Sequence, residues 1–251
     1  MSNISAANST NALRKPLHGG VALVTGGSRG IGKAIAKRLA SLGAAVGICG
    51  RDEEKLMLAA RELEAAGAKV LASRADVTIE ADIRGFVDAT EKRLGAITIL
   101  VNNAGTGGGG FGAIQEKSEA EWDQVMNTNL KSVFFVSRAV IPGMIQRRGG
   151  DIINISSLAG KNTFAGGGIY CASKWGLQGL SGWMAEDLRA HGIRVSVICP
   201  GSVATDFMGR GPKDPSKVLT ADDVAHAVAM VAVQDPQSFI SEVHLRPVAK
   251  P

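Results

Sequence analysis

Short apolar runs alternate along this chain with longer stretches in which apolar residues recur every three or four positions. VALVTG (21–26), AAVGICG (44–50), AKVLASR (68–74), ITILVNNAG (97–105), DIINISS (151–157), RVSVICPG (194–201) and FISEVHL (239–245) predict seven strands. The intervening segments 30–42, 52–66, 79–94, 118–148, 169–191 and 220–232 carry helical spacing. Strands that are apolar throughout and separated by helices predict a parallel sheet covered on both faces. Right-handed crossovers then give a doubly wound α/β sandwich with seven parallel strands. No linker, repeat or shift of composition divides residues 19–246, so a single domain is expected over 19–251. The preceding segment, 1–18, is rich in Asn, Ser and Ala without the apolar stretch of a signal peptide, and reads as a disordered tail.

Composition narrows the function classes. Hydrophobic residues make up 45% of the 251, enough for a large core, yet no apolar run is long enough to span a membrane. The net charge is +5 and the sequence pI about 9.2, but the basic residues are scattered and aromatics are only 4%. A nucleic-acid footprint needs a basic stripe, so nucleic acid is not an expected partner. A mild positive field suits an anionic small molecule. Cys49, Cys171 and Cys199 are an odd number, far apart, which points to a reducing, cytoplasmic setting. His18, His191, His226 and His244 lack ligand spacing, so no metal is expected.

Glycine, at 32 residues, clusters after the strand ends in TGGSRGIG, NAGTGGGGFG and KNTFAGGG, where open α/β sheets bind ligands. After the first strand, Gly26, Gly30 and Gly32 follow a G-x-x-x-G-x-G spacing. That loop combines a tight turn, a backbone open to pyrophosphate and a helix N-terminus aimed at its charge. No Lys-Ser/Thr pair follows the last glycine, which excludes a triphosphatase loop. The second strand ends in Gly50 and Arg51 rather than in an acid that would hold a ribose 2′-hydroxyl. Asp52 and Glu53 fit the first turn of the next helix. Arg51, with Arg29 from the glycine loop, suits the 2′-phosphate of NADP(H).

The only tyrosine, Tyr170, stands in IYCASKW four residues before Lys174, so a helix would put both on one face. A nearby ammonium lowers a phenol's pKa, and such a tyrosine could donate a proton. TGGSRGIG (25–32), ADV (75–77), NNAG (102–105), NTNL (127–130), ISS (155–157), YCASK (170–174) and PGSVAT (200–205) appear in order. With them the chain resembles the short-chain dehydrogenase/reductase family over roughly 20–246. The resemblance implies a Rossmann-type fold and an NADP(H)-dependent oxidoreductase that reversibly reduces a ketone, aldehyde or 3-oxo acid to an alcohol. It implies a catalytic set of Asn129, Ser157, Tyr170 and Lys174. Ser157 would hold the carbonyl oxygen, Tyr170 would exchange its proton, Lys174 would lower the phenol pKa and hold ribose, and Asn129 would hold a water. Ser156 is the competing serine, expected on the opposite face of its strand. Cofactor contacts are implied for Gly26, Ser28, Arg29, Gly30, Ile31, Gly32 and Arg51, for Asp76 and Val77, and for Asn102, Ala104 and Gly105. Tyr170, Lys174, Pro200, Gly201, Val203 and Thr205 complete that set, whereas Asn103 could equally brace the sheet.

The chain ends in SEVHLRPVAKP rather than in the family's glycine pair, a departure that weakens the alternative of a 3-oxoacyl-carrier-protein (3-oxoacyl-thioester) reductase. A non-enzymatic alternative is an NADP(H)-sensing binding protein. Arg147 and Arg148, with Arg189 or Arg194, could dock an acyl-carrier protein or complement a helix C-terminus; docking is the weaker reading. Family members pair the helices at 118–148 and 169–191, implying a homo-oligomer, a tetramer or a dimer. Gly176, Gly179, Ser181 and Gly182 would allow close approach there, with Trp122, Trp175 and Trp183 in packing or subunit contacts. The substrate pocket is expected from 106–112, 158–169 and 202–218, with 206–217 as a small mobile lid.

Overall fold

Seven parallel strands, in the order β3-β2-β1-β4-β5-β6-β7, form one sheet among the described residues. The structure is a computed structural model that describes residues 15–109, 111–205, 207, 214 and 217–249. The strands are β1 (Val21–Thr25), β2 (Ala45–Gly50), β3 (Val70–Arg74), β4 (Ile99–Asn102), β5 (Gly150–Ile155), β6 (Ile193–Pro200) and β7 (Glu242–Leu245). Between them run α1 (Gly30–Ser41), α2 (Glu53–Ala65), α3 (Glu80–Leu94), α4 (Glu119–Met126), α5 (Ser132–Arg147), α6 (Gly168–Arg189) and α7 (Ala221–Ala232). The doubly wound α/β sheet expected from the pattern is the fold observed. Of the expected tail, residues 1–14 lie outside the described residues. Pro16–Gly19 form a turn in which the Leu17 amide donates to the Leu42 carbonyl at 2.9 Å, so order begins before residue 19.

Strand periodicity sorts the core into two layers. Ala22 and Val24 of β1, with Ile153 and Ile155 of β5, face α1, α2 and α7. Val21, Leu23 and Ile152 face α3, α5 and α6. Each fully buried Leu, Ile or Val contributes about 1.5–3 kcal/mol. On the second side a polar seam interrupts the apolar layer. The Asn102 amide donates to Asn154 Oδ1 at 2.9 Å and to Ser137 Oγ at 3.2 Å, and the Asn154 amide donates to Ser181 Oγ at 2.8 Å. These groups are all buried, and the seam ties β4 and β5 to α5 and α6.

The long helical segment 118–148 is divided. Ser118 and Glu121 form a capping box that starts α4, and a π-helical turn over Asn127–Lys131 separates α4 from α5. Arg148, in the left-handed conformation at φ 54°, ends α5. Arg147 donates to the Ile97 carbonyl at 2.7 Å, and Arg194 pairs with Asp151 at 2.7 Å. Arg147, Arg148, Arg189 and Arg194 thus sit beside the starts of β5 and β6, at the amino-terminal edge of the sheet.

Candidate active site

The carboxyl ends of β1 to β6 and the loops that follow them enclose a cleft of about 880 Å³. Its first wall is the turn from β1 into α1. Gly26 and Gly30 hold φ +67° and +53°, a region that favours glycine. A Cβ on Gly32 would lie 2.2 Å from the Gly26 carbonyl oxygen, so only glycine lets α1 start this close to the loop. Ser28, Arg29 and Ile31 line the same wall. Asp52, Ser118 and Thr220 cap α2, α4 and α7 through their side chains, but Arg29 makes no side-chain cap at α1. The first turn of α1 also holds no acid. Its free amides therefore point into the cleft as an anion receptor.

Arg51 follows the tip of β2 at the cleft mouth, close to Arg29 and Lys55. Asp52 is turned away from that role: it caps α2 by accepting from the Lys55 amide at 3.1 Å and pairs with the Lys55 ammonium at 2.7 Å. The lining at the mouth is therefore mainly cationic, which fits a phosphorylated ribose. Asp76 and Val77 border the cleft beyond β3, and Asp76 Oδ1 accepts from the Thr78 amide and hydroxyl at 2.9 and 2.8 Å. Pro200, Gly201, Val203 and Thr205 line the opposite wall, where the Thr205 methyl sits 3.6 Å from the Cβ position of Gly30.

Asn102 departs from expectation. Its side chain belongs to the buried polar seam and points into the α5–α6 layer, because alternation along β4 puts it on the face away from the cleft. Asn103 borders the cleft instead, with Ala104 and Gly105. Its amide donates to the carbonyls of Thr25 and Gly26 at 2.9 and 3.3 Å, locking β4 to the glycine turn.

Ser157, Tyr170 and Lys174 come together beyond β5. Tyr170 and Ser157 line the same end of the cleft, close enough for the Ser157 hydroxyl to act on the phenol. Ser157 Oγ accepts from the Ala159 amide at 3.1 Å. Ser156 borders the cleft as well, but its hydroxyl accepts from Gln178 at 3.0 Å. Lys174, buried, donates to the Ile155 carbonyl at 2.9 Å, and its Nζ lies 5.8 Å from the Tyr170 ring centroid. Asn129, in the π-helical turn, is engaged at both ends of its amide: Oδ1 accepts from the Thr106 amide at 2.7 Å, and Nδ2 donates to the Thr106 carbonyl and to Ser173. Its side chain thus holds the Thr106 loop against α6.

The electrostatics differ from the sequence expectation. Burial pushes the Tyr170 phenol up to about 12, partly offset by the neighbouring Ser157 hydroxyl, and Lys174 does not lower it here. Lys174 itself is pulled down to about 8, because its charge is buried. The ammonium is directed at a backbone carbonyl, not at the phenol oxygen, and cannot offset the desolvation of the ring.

Residues that the sequence motifs did not single out complete the cleft: Phe111, Asn162, Thr163, Phe164 and Phe207. They fall in the loops expected to build the substrate side, and only proximity to Tyr170 distinguishes them. Most of the expected lid, 206–217, lies outside the described residues. One cluster of ligand-type residues also escaped a reading based on sequence spacing. Parallel pairing sets Cys199 opposite His244, and together with Glu242 their ligating atoms fall within 4.8 Å of one another. Lys161 pairs with Glu242 at 2.8 Å, making this an ion-pair cluster.

A family model described as short chain dehydrogenase matches residues 20–215. The chain is 44% identical over 192 residues to a granaticin polyketide synthase putative ketoacyl reductase of Streptomyces violaceoruber, covering 76% of this chain and 70% of that one. It is 34% identical over 237 residues to 2-(S)-hydroxypropyl-CoM dehydrogenase 3 of Xanthobacter autotrophicus, covering 88% and 92%. A metagenomic short-chain oxidoreductase solved in complex with NADP superposes with a TM-score of 0.82 at 45% identity, over 94% of this chain and 100% of that one. Glycine turn, parallel sheet and the Ser157–Tyr170–Lys174 cluster thus come with matched relatives along nearly the whole chain, and the protein belongs to the short-chain dehydrogenase/reductase family of oxidoreductases.

Proposed function

We propose that this oxidoreductase uses NADPH to reduce a ketone or aldehyde to an alcohol, with Tyr170 as the proton donor. The observation that carries the reading is the buried Tyr170, with Ser157 and Lys174 beside it, at the end of a cleft whose other end is glycine-rich and cationic. NADPH, when bound, supplies the hydride. The uncapped start of α1, with Arg29 and Arg51, would hold its phosphates, and Ala104, Gly105 and the Pro200–Thr205 loop would flank the rest. Ser157 donates a hydrogen bond to the carbonyl oxygen, and Tyr170 protonates that oxygen as negative charge develops. An alkoxide is a far stronger base than a phenolate, so even a phenol near 12 gives up its proton downhill. Lys174 orients on the same helix face one turn away, and Asn129 positions the Thr106 loop.

A second reading, a 3-oxoacyl-thioester reductase, is favoured by the ketoacyl reductase relative. Arg147, Arg148, Arg189 and Arg194, the candidates for carrier docking, lie at the edge of the sheet remote from the cleft, which weighs against it. The cysteines are free and buried, in keeping with a reducing, cytoplasmic setting, and no helix among the described residues is long and apolar enough to cross a membrane.

Following NADPH absorbance with a panel of ketones, aldehydes and acetoacetyl thioesters tests both readings. Tyr170→Phe should lose about 10²–10⁴-fold in kcat while its NADPH dissociation constant is unchanged. Tight NADPH binding without oxidation by any carbonyl would instead identify a cofactor sensor.

A further inference from the structure

The substrate end of the cleft is built of aromatic rings. Phe111 lies 5.7 Å from Tyr170, centroid to centroid, and Phe207 meets Tyr170 edge-on at 6.0 Å. Phe164 stacks on Phe111 at 6.1 Å and 18° between planes. The reacting phenol is therefore flanked by a collar of three phenylalanines. Phe164 and Phe207 are 48% and 39% exposed, and both border the cleft. Two large rings left in water beside the reacting phenol form an apolar surface that a flat ligand can cover.

The collar is anchored. The Gly112 amide donates to the Gly166 carbonyl at 2.8 Å, joining the loop that carries Phe111 to the loop that carries Phe164. A Cβ on Gly167 would fall 2.4 Å from the Phe164 ring, so the glycine before α6 is what lets that ring lie down against the backbone. Charge is divided along the same cleft. Among the described residues that line it, Arg29, Arg51, Asp52, Lys55 and Asp76 surround the cofactor end. At the collar end the one charged side chain among the described lining residues is Lys174, committed to the Ile155 carbonyl. Among the described lining residues an anionic substrate would find no uncommitted cation at this end.

From this we infer that the substrates are neutral carbonyl compounds bearing an aromatic ring next to the reacting carbon, with Phe164 and Phe207 as the residues that select them. The inference rests on the reductase reading above and adds the substrate class. With the carbonyl oxygen between Ser157 and Tyr170, the aryl group lies against the exposed faces of the collar.

The test compares NADPH-dependent reduction of acetophenone, cyclohexyl methyl ketone and phenylglyoxylate, which share an eight-carbon skeleton but differ in planarity and charge. Acetophenone should exceed each of the others by about tenfold in kcat/KM, the worth of one or two aromatic contacts. Phe164→Ala and Phe207→Ala should each raise KM for acetophenone by about fivefold and erase most of its lead, with the NADPH dissociation constant within about twofold. Equal or better turnover of the cyclohexyl ketone or of the anion overturns the inference while leaving the reductase reading intact. So does an acetophenone preference that both variants retain. If NADPH binds and no carbonyl is reduced, the reductase reading fails. Calorimetry of 1-phenylethanol against 1-cyclohexylethanol on the NADP-saturated protein then decides the aryl site, and equal affinities overturn it.

Discussion

At Lys174, burial and charge oppose one another. The ordinary lysine value of 10.5 drops to about 8 because the ammonium is enclosed by α6 and the end of β5. Below pH 8 both folded and unfolded chains carry the proton, and between 8 and 10.5 the unfolded chain holds more, so this residue makes stability rise with pH across that window. Tyr170 acts oppositely: raised from 10 to about 12, it makes stability fall with pH between those values. Urea unfolding at pH 7.5 and 9.5 should show Lys174→Met losing the upward contribution that the wild type has; parallel pH profiles would refute the burial. Arg51 offers a second residue-scale check. Arg51→Asp should weaken NADPH and shift preference toward NADH, measured as the ratio of kcat/KM for the two cofactors. The pairing of Tyr170 with Lys174 was legible in the sequence because four residues are one helical turn. Their ionisation was not, since it depends on burial, which no spacing records. Asn102 and Asn103 make the same point: both belong to one short motif, but strand alternation sends the first into the helix layer and the second to the cleft.

At the scale of elements, the turn from β1 into α1 carries the tightest constraint. Gly32→Ala would drive a methyl into the Gly26 carbonyl and the Asn103 amide, so α1 must tilt away from the sheet. The expected result is a lower Tm and loss of NADPH binding, read by thermal denaturation and by fluorescence titration; an unaltered Tm would mean that the turn relaxes easily. Element types followed from periodicity, but some boundaries did not. The fourth strand was expected over 97–105 and pairs only over Ile99–Asn102, because Asn103 to Gly105 leave the ladder to border the cleft. The helix expected over 118–148 contains a π-helical turn at Asn127–Lys131, where the Asn129 side chain reaches across to Thr106. Nothing in the apolar pattern marks that extra residue in the turn, since it serves a contact distant in sequence.

For the whole molecule, the outer face of α6 is notable for its exposed large rings. Trp175 and Trp183 are exposed on it and Trp122 on α4, and Gly179 and Gly182 open onto free space. Gly176 is instead filled by Leu130, and Ser181 is buried in the polar seam, so only part of the expected small-residue surface faces outward. We propose that this face seats a second copy of the chain. Light scattering after size exclusion should give a dimer or tetramer, and Trp175→Glu should shift it to monomer; a monomeric wild type would refute this. The doubly wound parallel sheet was legible in the alternation of strands and helices, whereas the strand order, the collar of phenylalanines and the Cys199–Glu242–His244 cluster arise from loops and strand register brought together only on folding. The Asn154–Ser181 bond has a mechanical meaning as well. Ser181 lies eleven residues beyond Tyr170, about three turns along α6, on the side of the helix that meets the sheet. A helix packed only by apolar side chains can slide or rotate by small amounts at little penalty. Pinned by a buried amide at mid-length, α6 behaves as a keyed shaft, and its far end delivers the phenol to the same spot on every folding event.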